Sequence, residues 1–255
     1  MQQDYKTLII YVLTLFVVVL LIVLKKQQDH LSDLENGVLP EEEIEIVLDS
    51  LEKEEPIKED HKDNIVSPMR GVIALIIDDF GYRNDHISNG FLELPGNLTY
   101  AIIPGHDYSQ SFSKKAYDAG YEIVVHMPME NIGKTYGEEE YVLMSYFQED
   151  EIKERINKSF FHLPEAVGLN NHQGSRGTAD VRIMTILAHE IKANKKFFVD
   201  SRTTRNSVAE STMRKYGVPT NKRDIFLDND LDEEKIRTQM LKLADVAERK
   251  GIAIG

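Results

Sequence analysis

The chain contains no cysteine. A disulfide framework, a thiolate nucleophile and a cysteine-ligated zinc site are therefore all excluded. No basic stripe and no interleaving of basic with aromatic residues is present, so nothing argues for a nucleic-acid partner. There is no glycine-rich phosphate loop, and Gly174-Ser175-Arg176-Gly177 is not a nucleophile elbow. Positive charge is also scarce: the 255 residues carry a formal net charge of -13. That excess is local. Residues 29–63 hold 14 acidic side chains against Lys53, Lys58 and Lys62, whereas residues 64–255 sum to only -4. The acidity thus belongs to a linker and says little about what the folded part binds.

What is present divides into three segments. Leu8 to Leu24 is an uninterrupted apolar run of 17 residues closed by Lys25-Lys26, at the short end of the roughly 17–25 residues that span a bilayer. Lysines and glutamines follow it, with no small-residue cleavage site, so an uncleaved single-pass anchor over residues 1–28 is expected. Residues 29–70 are rich in Glu and Asp with scattered apolar residues, too few to bury a core, and read as a disordered acidic stalk. From Gly71 the pattern changes to alternating strands and helices. Strands are expected at 72–78, 98–103, 121–126, 167–170, 196–200, 218–221 and 251–254.

The intervening helices have inward stripes. In 150–163 these are Ile152, Ile156, Phe160 and Leu163. In 178–194, with Thr178 as cap, they are Val181, Met184, Leu187 and Ile191. In 231–250, Asp230-x-x-Glu233 reads as a capping box, Ile236, Met240, Leu243 and Ala247 face inward, and Gly251 ends the helix. Such alternation means a parallel α/β sheet, and about seven strands in this length suit a barrel smaller than the eight-fold one. The chain stops at Gly255 inside an apolar run, so further C-terminal sequence is expected beyond it.

Four of the apolar runs end in residues able to hold a metal or move a proton. Ile73–Ile77 runs into Asp78-Asp79, Ile123–Val125 into His126, Val167–Leu169 into Asn170-Asn171-His172, and Phe197–Val199 into Asp200. Strand C-termini converge on one crevice in parallel α/β folds. Neighbouring carboxylates there can divide their labour, one as ligand and one as general base. Two histidines and an aspartate leave positions open for water on zinc, and the same set suits non-haem iron. Taken singly, Asp78-Asp79 is a helix cap with a surface charge, His126 a satisfied core histidine, and His172 a loop residue.

Five ordered motifs resemble those of the divergent polysaccharide deacetylases, distant relatives of the NodB-homology deacetylases. They are Ile76-Ile-Asp-Asp-Phe-Gly81, His126-Met-Pro-Met-Glu130, Gly168-Leu-Asn-Asn-His-Gln-Gly-Ser175, Phe198-Val-Asp-Ser-Arg-Thr203 and Arg223-Asp-Ile-Phe-Leu-Asp-Asn229. The resemblance covers residues 71–255 and implies a distorted (β/α)7 barrel with one divalent metal, zinc by expectation. It implies Asp78 as general base, Asp79, His126 and His172 as ligands, and removal of N- or O-acetyl groups from a cell-envelope polysaccharide. Asp200, Arg202, Asn171, Arg223 and Asp224 are expected at the substrate or behind the ligands. The chain departs from the usual pattern at two places: Glu130 stands where a second histidine four residues after His126 is customary, and the chain ends at Gly255, before the position of the family's customary final Gly-His. Two other readings compete: an envelope protein that keeps the barrel only to bind a glycan or partner, and a phosphoesterase built on Asp78-Asp79. The expected location is the cell membrane, with the domain outside the cytoplasm.

Overall fold

The structure, a computed structural model, describes residues 71–135 and 137–255. The apolar run Leu8–Leu24 and the acidic stretch 29–70 lie outside the described residues, among which no helix is long and apolar enough to cross a membrane. Among the described residues, seven strands alternate with six helices: β1 (Val72–Phe80), α1 (His86–Gly90), β2 (Leu98–Ile102), α2 (Ser109–Asp118), β3 (Glu122–Met129), α3 (Glu149–His162), β4 (Gly168–Gln173), α4 (Val181–Ala193), β5 (Phe197–Asp200), α5 (Ala209–Lys215), β6 (Thr220–Lys222), α6 (Glu233–Lys250) and β7 (Ile252–Ile254). All pairings are parallel, in the order β6-β5-β4-β3-β2-β1-β7. The sheet nearly closes on itself. Just past β6, the amides of Asp224 and Ile225 donate to the Ile254 carbonyl of β7 at 2.8 and 3.3 Å. This is the expected (β/α)7 barrel.

The helices are held by the stripes that their periodicity announces. In α3, Ile152, Ile156 and, just past its end, Leu163 are fully buried, with Phe160 8% exposed. Each aliphatic side chain so buried contributes about 1.5–3 kcal/mol. Three local expectations need correction. Thr178 does not cap α4; its hydroxyl donates to the Gly174 carbonyl inside a 3₁₀ turn, and Asp180 accepts from the amides of Arg182 and Ile183 instead. Val181 is exposed at 62%, because the cap lies two residues later than expected and the inner face is carried by Ile183, Met184, Leu187 and Ile191. At α6 the capping side chain is Asp232, which accepts from the Lys235 amide, whereas Asp230 pairs with the Lys235 ammonium. Gly251 ends α6 in the left-handed conformation (φ 84°), as expected of a C-terminal glycine.

β1, β3 and β4 run further than the apolar pattern indicates, β1 reaching Phe80. β3 continues to Met129 and β4 to Gln173, paired residue for residue from Val124↔Gly168 to Met129↔Gln173. Polar residues at the strand ends are thus carried by ladder backbone, which holds them more firmly than a loop.

Candidate metal centre

Successive strand residues point to opposite faces, so a regular strand would separate Asp78 from Asp79. Here the β1–β2 register shifts between Ile77 and Phe80, and Asp79 has a left-handed backbone with φ 66°. This bulge re-aims the chain, and both carboxylates line one cavity. Phe80 anchors the distortion from below: it is buried, stacks on Phe112 at 4.2 Å, and meets Tyr100 and Phe91 edge-on. The next residue, Gly81, has φ 122°, and a Cβ there would lie 2.7 Å from Ser109 Oγ and 3.0 Å from the Ile103 carbonyl. An aromatic plug and an obligatory glycine therefore hold the two aspartates at the strand end.

His126 and Asn170 are register partners across β3 and β4, and His172 follows two residues along β4 on the face of Asn170. The alternation thus delivers His126, Asn170 and His172 to the same crevice. Asp79 Oδ1 lies 3.2 Å from His126 Nε2 and 3.0 Å from His172 Nδ1. The ligand atoms of the three residues all lie within 4.8 Å of one another, the one such grouping among the described residues. His126 is buried, His172 half-buried, and the Asp79 side chain remains 60% exposed toward the cavity. Hydrogen bonds from His126 and then His172 hold the Asp79 carboxyl far below the usual carboxylate range. Burial disfavours the charged form of His126, but the carboxylates of Asp78 and Asp79 more than offset this, so its pKa is raised.

One carboxylate oxygen and two imidazole nitrogens facing a common point suit a divalent cation, and an outer hydrogen bond orients the His126 imidazole. His126 Nδ1 is 2.7 Å from Asn170 Oδ1, and His172 Nε2 is 3.1 Å from the Gln173 amide nitrogen. The other face of Asn170 donates to Asp78 Oδ1 at 2.9 Å. By its chemistry, this donor set fits the metal that the resemblance implies.

The cavity measures about 410 Å³ and opens at the C-terminal ends of the strands. Besides the residues above, Asn171, Ser201, Thr203, Arg223, Phe226 and Asp228 line it. Asn171 crosses from β4 to the next loop, accepting from the Ser201 amide at 2.9 Å and donating to the Gln173 carbonyl at 2.9 Å. Arg223 donates through Nε to the Ser201 carbonyl at 2.8 Å and lies over the Phe226 ring at 4.5 Å. Asp200 is fully buried, and its carboxylate accepts from the Arg202 amide and the Ser207 hydroxyl, so it shapes the 201–207 loop. The hydrogen bond to a ligand histidine that Asp200 could have made is made by Asn170. Arg202 and Asp224 are absent from the cavity wall; Asp224 binds the Ile254 amide and the Lys250 ammonium, closing the barrel. Glu130 has turned away from any ligand role: its carboxylate accepts from the Ser145 amide at 2.6 Å. Past the end of β2, His106 Nε2 lies 3.1 Å from Glu138 Oε1.

Asn170 and Phe226 carry contacts that single-residue reading passed over. For Asn170 a signal existed, since period-two spacing back from His172 places it on the same face.

A parallel α/β barrel with an Asp-His-His cluster at its strand ends defines the class. The particular family follows from comparison: a family model described as "Divergent polysaccharide deacetylase" matches residues 75–255, and the chain belongs to that family. The chain is similar to the uncharacterized protein YibQ of Escherichia coli K12, 34% identical over 189 residues, 73% of this chain and 59% of the relative. An uncharacterized protein of Haemophilus influenzae is 33% identical over 184 residues, 71% of this chain and 64% of the relative. The chain therefore spans less than two thirds of the length of either. Among solved structures, the uncharacterized protein ATU2773 of Agrobacterium tumefaciens C58 shares the fold, with TM-score 0.69 and 22% identity over 74% of this chain and 78% of that one.

Proposed function

We propose that the chain is a metal-dependent hydrolase that removes N- or O-acetyl groups from a cell-envelope polysaccharide. The observation that carries this reading is the convergence of Asp79, His126 and His172 at the base of an open cavity, with Asp78 beside them, in a member of a deacetylase family. Asp79, His126 and His172 would hold one divalent cation, for which zinc is the first choice. When bound, such a cation supplies Lewis acidity and lowers the pKa of water.

The chain's own residues account for the rest. Asp78 accepts from Asn170 through Oδ1 and is 41% exposed at the side chain, so its carboxylate keeps acceptor capacity on the cavity side. It is the base that takes a proton from the water attacking the acyl carbon. When the C–N or C–O bond breaks, Asp78 is placed to return that proton to the leaving amine or alcohol, releasing acetate. Arg223, which lines the cavity, supplies a donor for sugar hydroxyls or the acyl oxygen, the buried Asn171 holds the neighbouring loop in place, and the exposed ring of Phe226 offers a face for a pyranose. Asp200, Arg202 and Asp224 support the loops that carry these groups.

The apolar run Leu8–Leu24 and the acidic stretch after it would tether the domain to the membrane, held off its outer surface. Acetate release from N-acetylglucosamine oligomers and from O-acetylated glycans, by the full chain supplied with zinc, tests the reading. Zinc-dependent release supports it; glycan binding without release from either substrate class would replace it with the binding-protein reading.

A further inference from the structure

We propose that Asn170 is a positioning residue whose single amide sets both the acceptor role of Asp78 and the tautomer of His126. Asn170 is 2% exposed, and its amide spans the two groups, with Nδ2 2.9 Å from Asp78 Oδ1 and Oδ1 2.7 Å from His126 Nδ1. A carboxylate can only accept, so the atom facing Asp78 is the NH₂ group. That orientation leaves the amide oxygen toward His126, and an amide oxygen can only accept as well. His126 Nδ1 must then carry a proton, and Nε2 is the ring atom available to a cation beside Asp79, 3.2 Å away. One side chain that does not titrate thus dictates which atom of the histidine is a ligand and which face of Asp78 remains free.

The placement of Asn170 follows from the ladder. Its backbone pairs directly with His126 in the β3–β4 register, so the two side chains rise together from neighbouring strands. Rotating the amide by 180° would put oxygen against oxygen at Asp78 and NH₂ against N–H at His126. The Asp78 contact would turn repulsive, and His126 would have to carry its proton on Nε2, the atom that faces Asp79. The arrangement has one good orientation.

This separates two functions that a merely structural asparagine would lose together. A carboxylate in its place still accepts from His126 Nδ1, yet donates nothing to Asp78 and adds a like charge beside it. Asn170→Asp should therefore keep zinc affinity within about threefold while acetate release falls about 100-fold, the loss expected on disturbing a general base. Asn170→Ala removes both contacts and should weaken zinc binding by about 10- to 100-fold.

The test is zinc titration of the full chain as wild type, Asn170→Asp and Asn170→Ala, with ¹H–¹⁵N spectra of the histidine rings in the zinc-loaded forms. Wild type and Asn170→Asp should show a slowly exchanging His126 Nδ1–H that Asn170→Ala lacks. The catalytic arm rests on the deacetylase reading; the zinc and ring-proton arms do not. If wild type releases no acetate, that reading fails while zinc affinity and the ring proton still decide the role of Asn170. Unchanged zinc affinity and an unchanged ring proton in folded Asn170→Ala would overturn the proposal. So would equal losses of zinc in Asn170→Asp and Asn170→Ala, which a packing role predicts.

Discussion

Two clusters of histidine and carboxylate sit at the strand ends, and they are built from the same residue types to opposite effect. In one, Asp79 receives His126 and His172, and its side chain stays 60% exposed. In the other, Glu138 is 4% exposed at the side chain and accepts from the Tyr82 hydroxyl at 2.7 Å and faces His106 Nε2 at 3.1 Å, while the Tyr82 and His106 rings lie 3.9 Å apart. Burial, and then the bond to Glu138, raise the Tyr82 phenol well above its ordinary range, so it remains a donor. The Glu138 cluster has one imidazole, a buried carboxylate and contacts that satisfy one another. The Asp79 cluster has two imidazoles that converge on an open point. Convergence and an unfilled face make a site; residue type alone does not.

The largest expected effect breaks the comparison outright. Asp79→Ala or His126→Ala should reduce acetate release by on the order of 10³-fold, since several kcal/mol of transition-state stabilisation disappear with the cation. His106→Ala and Glu138→Gln should stay within about tenfold of wild type, as their contacts are structural. Comparable losses in both sets, measured as initial rates, would erase the distinction.

Next comes Asp78→Asn, which sharpens the division of labour between adjacent carboxylates. It should lower the rate by about 10²- to 10⁴-fold with zinc stoichiometry unchanged by metal analysis. Loss of zinc in this variant would make Asp78 a ligand and leave the base unassigned.

A smaller effect tests the frame under the first cluster. Gly81→Ala forces a side chain into a positive φ against Ser109 and the Ile103 carbonyl, at a cost of about 1–3 kcal/mol. Denaturant unfolding should show that cost, and a variant as stable as wild type would mean that the β1 bulge is not held by this glycine.

The smallest concerns a histidine outside both clusters. His162 Nε2 is buried without a hydrogen-bond partner, and burial, followed by the charge of Lys158, lowers its pKa from 6.5. The unfolded chain therefore binds this proton more readily than the folded one. Stability should fall as pH drops through about 6.5 and stop falling once the folded form is also protonated. His162→Gln should flatten that slope in urea titrations between pH 7 and 5; an unchanged slope would assign the dependence to other groups.

Much of this was legible in the sequence for a physical reason. Buried strands are apolar runs, so a polar residue that ends one, such as Asp78, His126 or Asp200, stands out and falls in the C-terminal half of its strand. The stripe of α3 was legible because Ile152, Ile156 and Phe160 repeat with the helical period. What stayed hidden depended on pairing across the chain. The shared face of Asp78 and Asp79 needs the β1 bulge, and the bridging contacts of Asn170 need the β3–β4 register. Asp200 looked like a site residue by position, yet its carboxylate is consumed by the Arg202 amide and Ser207. Helix starts misled because several capping residues compete locally: Thr178 against Asp180, and Asp230 against Asp232.

The central claim is that Asp79, His126 and His172 form one cation site. Calorimetric titration of the metal-free full chain with zinc, for wild type, Asp79→Ala and Glu138→Gln, tests it most directly. One zinc per chain in wild type and Glu138→Gln, with none in Asp79→Ala, is the predicted result. Zinc binding that survives in Asp79→Ala, or fails in wild type, would contradict it.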